Sequence, residues 1–481
     1  MHQVYELNAR TWRAERTREL GRPTTLDDLS FAVLDHLVES GFTWLYLFGV
    51  WRTGPLARDL ARTDEALIRH AQGLLPDFTP DDLCASPVAV AAYQVAPELG
   101  GDEALERLRD RARASGLSLM LDFIPNHVGL DHPWAKEHPE YLIQADEQAL
   151  ATDPAAHVRL HGRIFAHGRD PFFAPWRDTL QIDYSNPAAQ DAVIREANLI
   201  AARCDGLRCE EAMLLLPEVF QGTWGRTMAP FWRRCLDAVR SEHPGTLFLA
   251  EVYWNREWDL QQAGFDFTYD KILYDRLLTD DAESIRGHLR ATMDFQYHCV
   301  RFLENDDEQR AAAKFASIDH HRGALFITGM VPGVLLCHHG QEDGRRIHCP
   351  QRLVRRPPEE GSEFHRSAYR ELLQLLSEPA RHDGSWTLLE PRNDGGRNLI
   401  GCLWTLPGYH SLLLVVNASW HGADGALEPG QLAQFDCQVQ DFLAGGQTTT
   451  WTAEDLINNG VYVALPPWGA RVFRIMCVRA S

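Results

Sequence analysis

The chain has 481 residues, too many for one ordinary compact core, so two or more structural units are expected. Hydrophobic residues make up 45% and charged residues 24%, the profile of a globular protein, and no apolar run of membrane-spanning length is present. With 47 basic and 67 acidic side chains the formal charge is −20, which disfavours nucleic acid and anionic membranes as partners and is compatible with neutral sugars.

The first twenty residues, MHQVYELNARTWRAERTREL, are polar and show no apolar signal segment, so a cytoplasmic location is expected. Ten cysteines are scattered along the chain without a Cys-x-x-Cys pair. Zinc is therefore not expected, and buried reduced thiols are.

Apolar runs of strand length then alternate with amphipathic stretches. Phe42 to Trp51 reads as a buried strand, Gly101 to Ser115 as an exposed helix, and Leu117 to Ile124 as the next buried strand. The series continues at Cys204 to Cys209, Thr246 to Val252, Cys299 to Leu303 and Val334 to His338, with a weaker candidate at Gly264 to Phe267. Such alternation implies parallel strands with crossover helices, and a closed (β/α)8 barrel uses eight such units. Between about Gly129 and Asn186 the pattern breaks into a segment rich in His, Pro, Asp and aromatics, long enough to be an inserted domain. After residue 383 short alternating segments separated by turn residues predict an antiparallel β-sandwich. The expected organisation is a barrel over 1–128 and 187–383, an insertion after strand 3 over 129–186, and a C-terminal sandwich over 384–481.

In such a barrel the strand C-terminal ends form the active-site face. Four polar clusters fall there: Asp122 to His127, Asp205 to Glu211, Glu251 to Trp254, and Phe302 to Glu308. Strand alternation aims Arg208 and Glu210 to one side and turns Glu211 away. Several carboxylates converging with Arg and His suit glycoside chemistry, where one carboxylic acid protonates the leaving oxygen and a second carboxylate attacks or shields the anomeric centre. A single Asp or Glu at a strand end is more often a cap or a solvated residue; four clusters in order on successive strands reverse that balance.

The clusters DFIPNH, DGLRCEEA, AEVYW and FLENDDE resemble, in order, the four signatures of the α-amylase superfamily, glycoside hydrolase family thirteen. The resemblance implies Glu251 as general acid/base, Asp307 as transition-state stabiliser, and Arg208 as the residue orienting the nucleophile. Asp122 and His127 would contact sugar in the reacting subsite, with Tyr93 and Asp306 among the substrate contacts. Asn126 matches a position that ligates calcium in some members; no other cofactor is implied.

Three positions, and Ala96 beside the third, depart from the family pattern. The nucleophile, an Asp two residues after the Arg, is here Glu210, whose extra methylene shifts the carboxylate by roughly 1.5 Å, one carbon–carbon bond. Asp306 stands where the fourth signature has His. Val88 stands five residues before Tyr93, where a sugar-stacking Tyr is usual, and Ala96 where an Asp often stands. Two readings are open at this point: a retaining α-glycoside hydrolase or transglycosidase acting on α-glucosidic oligosaccharides or small glucosides, and a catalytically impaired protein of the same fold that binds sugar or acts as a scaffold. The oligomeric state is not legible.

Overall fold

The computed structural model describes residues 2–279, 281–446 and 448–478. Eight parallel strands close a barrel in which each strand lies beside the next in chain order. They are β1 (Gln3–Asn8), β2 (Trp44–Phe48), β3 (Ser118–Phe123), β4 (Gly206–Cys209), β5 (Leu247–Ala250), β6 (Phe267–Tyr269), β7 (Cys299–Arg301) and β8 (Val334–His338). The apolar runs explain most of them: β2, β3 and β8 are buried almost throughout, as strands covered on both faces must be. The helix Gly101–Ser115 packs Leu105, Leu108 and Ala112 inward and ends at Gly116, whose φ of 92° is the left-handed cap.

Two strands differ from expectation. β1 was not among the predicted strands; all six of its residues are buried although Gln3, Glu6 and Asn8 are polar. β6 begins at Phe267 rather than Gly264, because Gly264 (φ 110°) terminates the helix Glu257–Ala263.

The chain packs as two compact units, one comprising Val4–Tyr269 and His348–Pro358, the other Met1–Gln3, Asp270–Ile347 and Glu359–Ser481. In the first, the segment between β3 and the helix Pro187–Ala201 forms its own small sheets. His127–Gly129 pairs antiparallel with Thr179–Gln181, and Gln144–Ala145, Arg163–Ala166 and His157–Leu160 make a three-stranded sheet.

The second unit contains β9 (Ser385–Leu389), β10 (Leu399–Thr405), β11 (Ser411–Asn417), β12 (Asp436–Asp441), β13 (Thr448–Trp451) and β14 (Ala470–Val478), in the sheet order β9-β10-β11-β14-β12-β13. A two-stranded sheet, Ala423–Leu427 with Val461–Leu465, covers it. Leu399, Leu413, Val415 and Phe473 from the larger sheet meet Leu427, Val461 and Val463 from the smaller in one apolar core, the layered arrangement of a sandwich.

The cysteine expectation needs correction here. Cys437 and Cys477 face each other in register across β12 and β14 and are joined as a disulfide. The other eight are free thiols. A disulfide belongs to oxidising surroundings, so the cysteines no longer support a reducing compartment. No helix among the described residues is long and apolar enough to cross a membrane.

Candidate active site

Register builds the site. β3 and β4 pair so that Asp122 lies beside Arg208, and β4 pairs with β5 so that Arg208 lies beside Leu249, two residues before Glu251. The Arg208 guanidinium then bridges two carboxylates. Its Nη1 forms an ion pair with Glu210, and its Nη2 lies 2.9 Å from Glu251 Oε1. The guanidinium carbon stands 5.7 Å from the Tyr269 ring centre. Burial works against the Arg208 charge, but Glu251, Tyr46, Tyr269 and Asp122 outweigh it and hold the group well above the usual arginine range.

Glu251 is only 1% exposed. Its Oε1 also accepts from the Tyr253 hydroxyl at 2.8 Å, and its Oε2 accepts from the Glu211 backbone N–H at 2.7 Å. Glu211 adopts φ 37°, the left-handed region, which turns its N–H onto Glu251. A carboxylate offers about four lone-pair positions; Arg208 and Tyr253 occupy those of Oε1, leaving one on Oε2 for a transferable proton. Glu210, at 9% exposure, is the more accessible of the two carboxylates.

Asp122 is enclosed almost as fully as Glu251. It is 2% exposed; Oδ1 accepts from the Tyr46 hydroxyl at 2.5 Å and Oδ2 from the Gly49 N–H at 2.9 Å. Gly49 sits at φ 74°, a conformation open to glycine. Asp122 thus ties the end of β2 to the strand that carries Arg208. Replacing Tyr46 by Phe removes a buried donor, and denaturant unfolding should register a loss of about 1–3 kcal/mol.

Tyr93 is reassigned. Its hydroxyl donates to the Ile124 carbonyl at 3.1 Å and accepts from the Ile124 N–H at 2.9 Å, and its ring packs edge-on against Trp51. It braces the end of β3 from behind.

His127 is buried, with its ring 5.1 Å from that of Trp176. Trp176 in turn lines a cavity of about 440 Å³ with Thr63, Asp64, Asp178 and Arg352. Burial lowers the His127 imidazole to about 4, with the Val88 carbonyl opposing the shift, and burial does the same to His132. An unfolded histidine takes its proton near 6.5. Between pH 6.5 and 4 the unfolded chain thus holds more protons than the folded one, and stability falls as pH drops through that window. Equilibrium unfolding from pH 7 to pH 4 checks this, and His127→Phe should flatten part of the slope.

Asn126 does not fit a calcium ligand. The Gln181 amide nitrogen donates to Asn126 Oδ1 at 3.1 Å, to the Asn126 carbonyl at 2.9 Å and to the Ile182 carbonyl at 3.1 Å. A cation at Oδ1 would face that N–H₂ group. Among the described residues no cluster of three His, Cys, Asp or Glu is disposed to hold a metal ion.

Asp306 and Asp307 belong to the other unit, in the loop after β7. Asn305 Oδ1 accepts from the Asp307 and Glu308 N–H groups at 3.0 and 2.9 Å, leaving the Asp307 residue exposed. Glu304 of the same cluster is fully buried and pairs with Arg310 at 3.0 Å. Tyr46, Gly49, Tyr253 and Tyr269 were not singled out from the sequence. Tyrosine inside an apolar strand reads as core, and nothing in one sequence marks its hydroxyl as a carboxylate partner.

The family model for the α-amylase catalytic domain matches residues 90–157. Alpha-amylase 3 of Dictyoglomus thermophilum is 21% identical over 289 residues, 55% of each chain. The chain thus spans about half the length of that relative. The solved structure of α-amylase from Geobacillus thermoleovorans, complexed with acarbose, superposes with a TM-score of 0.68 at 16% identity, covering 99% of this chain and 98% of that one. The chain is similar to the α-amylase superfamily in the segment that the family model matches and in its fold. Another superfamily fold neighbour, the cyclic α-maltosyl-(1→6)-maltose hydrolase of Arthrobacter globiformis, superposes with the same TM-score at 15% identity, covering 99% and 98% of the two chains. At these identities the superpositions speak for fold. The chemistry must be argued from the side chains.

Proposed function

We propose that this chain is a retaining α-glycoside hydrolase or transglycosidase acting on α-glucosidic oligosaccharides or small glucosides. The observation that carries this reading is the single guanidinium of Arg208 holding both Glu210 and Glu251. A retaining enzyme needs two carboxyl groups fixed close together, and one cation between them offsets their repulsion. Glu251 protonates the glycosidic oxygen as the bond to the anomeric carbon breaks. Glu210 forms the ester to that carbon from the opposite face. Water or an acceptor hydroxyl then gives its proton to Glu251 and displaces Glu210. Relatives named as α-1,4-glucan:maltose-1-phosphate maltosyltransferase and as trehalose synthase/amylase span both transfer and hydrolysis, which supports leaving both outcomes within one mechanism. The site residues, and the divergence at Glu210 and Asp306, are part of the proposal.

The test is incubation with maltooligosaccharides, sucrose, trehalose and an aryl α-glucoside, with the anomer of the first product followed by NMR. Retained configuration supports the reading. Sugar binding without turnover would favour the impaired-scaffold alternative, and inversion would exclude Glu210 as nucleophile. Glu210→Asp restores the reach usual in the superfamily. A misplacement of about 1 Å can cost about 10²-fold, so turnover should rise by up to that factor; an unchanged or lower rate would refute the idea that the longer arm hampers attack.

A further inference from the structure

The unit that carries the sandwich has a cavity of its own. It measures about 570 Å³ and is lined by Arg392, Asn393, Ala426, Asn458, Asn459 and Tyr462. Small-molecule sites span about 300–1,000 Å³. Backbone packing fixes its walls: Gly395 and Gly425 stand so close that a Cβ on either would overlap the facing chain. The Arg392 N–H donates to the Ala426 carbonyl at 2.9 Å. Its guanidinium donates to the Leu456 and Ile457 carbonyls, at 3.3 and 2.7 Å, in the last turn of the helix Ala453–Asn459. Asn393 Oδ1 accepts from the Gly396 and Ala426 N–H groups at 3.0 and 3.2 Å, which leaves its N–H₂ group for a ligand. Asn458 and Asn459 are exposed at the helix end, and Gly460, at φ 70°, supplies the cap, so neither asparagine is needed for that task. The Tyr462 hydroxyl donates to Asp424 Oδ1 and steadies a side chain that is 57% exposed.

We infer that this cavity is a non-catalytic site for a neutral mono- or disaccharide unit, with Asn393, Asn458, Asn459 and Arg392 as hydroxyl partners and the Tyr462 ring as the face for the sugar. An amide both donates and accepts, as a sugar hydroxyl does, and a guanidinium held at two N–H groups has others to offer. Tyrosine adds an apolar face beside them. Charge decides against an anion. Among the described residues that line the cavity Arg392 alone is charged, and the carbonyls at the helix end, its negative pole, offset that charge. Asp394, Asp424 and Glu454 are exposed on the elements that frame the cavity, and the whole chain carries −20. Arg392 itself disfavours a cation. A neutral polyol meets neither objection. The site shares no residue with the Arg208 centre, which belongs to the other unit, so it stands independently of the proposed reaction.

Hydrogen–deuterium exchange of the full chain with 4-thiomaltose, which resists cleavage, tests this, because protection is located peptide by peptide and so reads the sandwich apart from the barrel. Peptides covering 391–396 and 456–463 should exchange about tenfold more slowly when the sugar stands about ten times above its Kd. Tyr462→Ala and Asn459→Ala, both at exposed side chains, should each remove most of that protection. Tyr409→Ala, at another exposed tyrosine of the same unit, should keep it. No slowing in these peptides, or slowing that survives both Tyr462→Ala and Asn459→Ala, would overturn the inference. Stronger protection by inorganic phosphate would also overturn it and make this an anion site. Protection of these peptides with none around Arg208 would count against the glycosidase reading while leaving the sandwich site in place.

Discussion

Glu251→Gln is expected to lower kcat/KM on an aryl α-glucoside by about 10²–10⁴-fold, the contribution of a positioned proton donor. The structure makes this substitution more than a loss of acidity. Oε1 faces two donors, Arg208 and Tyr253, and Oε2 faces the Glu211 N–H. Whichever way the amide turns, its N–H₂ meets a donor in a buried site. A stability loss of about 1–3 kcal/mol should therefore accompany the kinetic one. Thermal unfolding beside the kinetics separates the two. Turnover that survives at wild-type level would remove Glu251 from the mechanism.

Arg208→Met should have the largest effect on stability. The arginine is the cation shared by Glu210 and Glu251, and Glu251 is almost fully buried. Breaking a buried pair by deleting one partner costs about 3–5 kcal/mol, because the remaining charge stays desolvated. The thioether packs well but supplies no positive charge. Chemical denaturation at pH 7 should show that loss, and lowering the pH should shrink it as protonation removes the stranded charge. Activity should fall together with stability at pH 7. A variant as stable as the parent would mean that Glu210 and Glu251 are held by other groups.

The barrel was legible where its strands are continuous apolar runs, as in Val334–His338 and Ser118–Phe123. It was illegible at β1, where Gln3, Glu6 and Asn8 are polar and yet buried. Asn8 caps the helix that follows, accepting from the Arg10 and Thr11 N–H groups, and hydropathy misreads a strand with such residues as an exposed terminus. β6 is only three residues long, and its expected start fell on Gly264, where the preceding helix ends. The ends of β4 and β5 were readable because Arg208, Glu210 and Glu251 interrupt apolar sequence with charge. What the sequence could not convey was which donors hold each carboxylate. Asp122 and Glu251 look alike on paper as acids at strand ends; the Tyr46 hydroxyl and the Gly49 N–H hold the first, and Arg208, Tyr253 and the Glu211 N–H hold the second.

Gly49 donates to Asp122 and Glu211 donates to Glu251 through the peptide group rather than through a side chain. Such grips need no side chain at the donor residue, though the left-handed backbone at both, φ 74° and 37°, restricts what can stand at Gly49, and proline deletes the donor outright. The posture of both acids thus depends on the path of the backbone more than on the side chains along it. A lineage can rewrite the letters around these strand ends extensively and still inherit the same pair of held carboxylates.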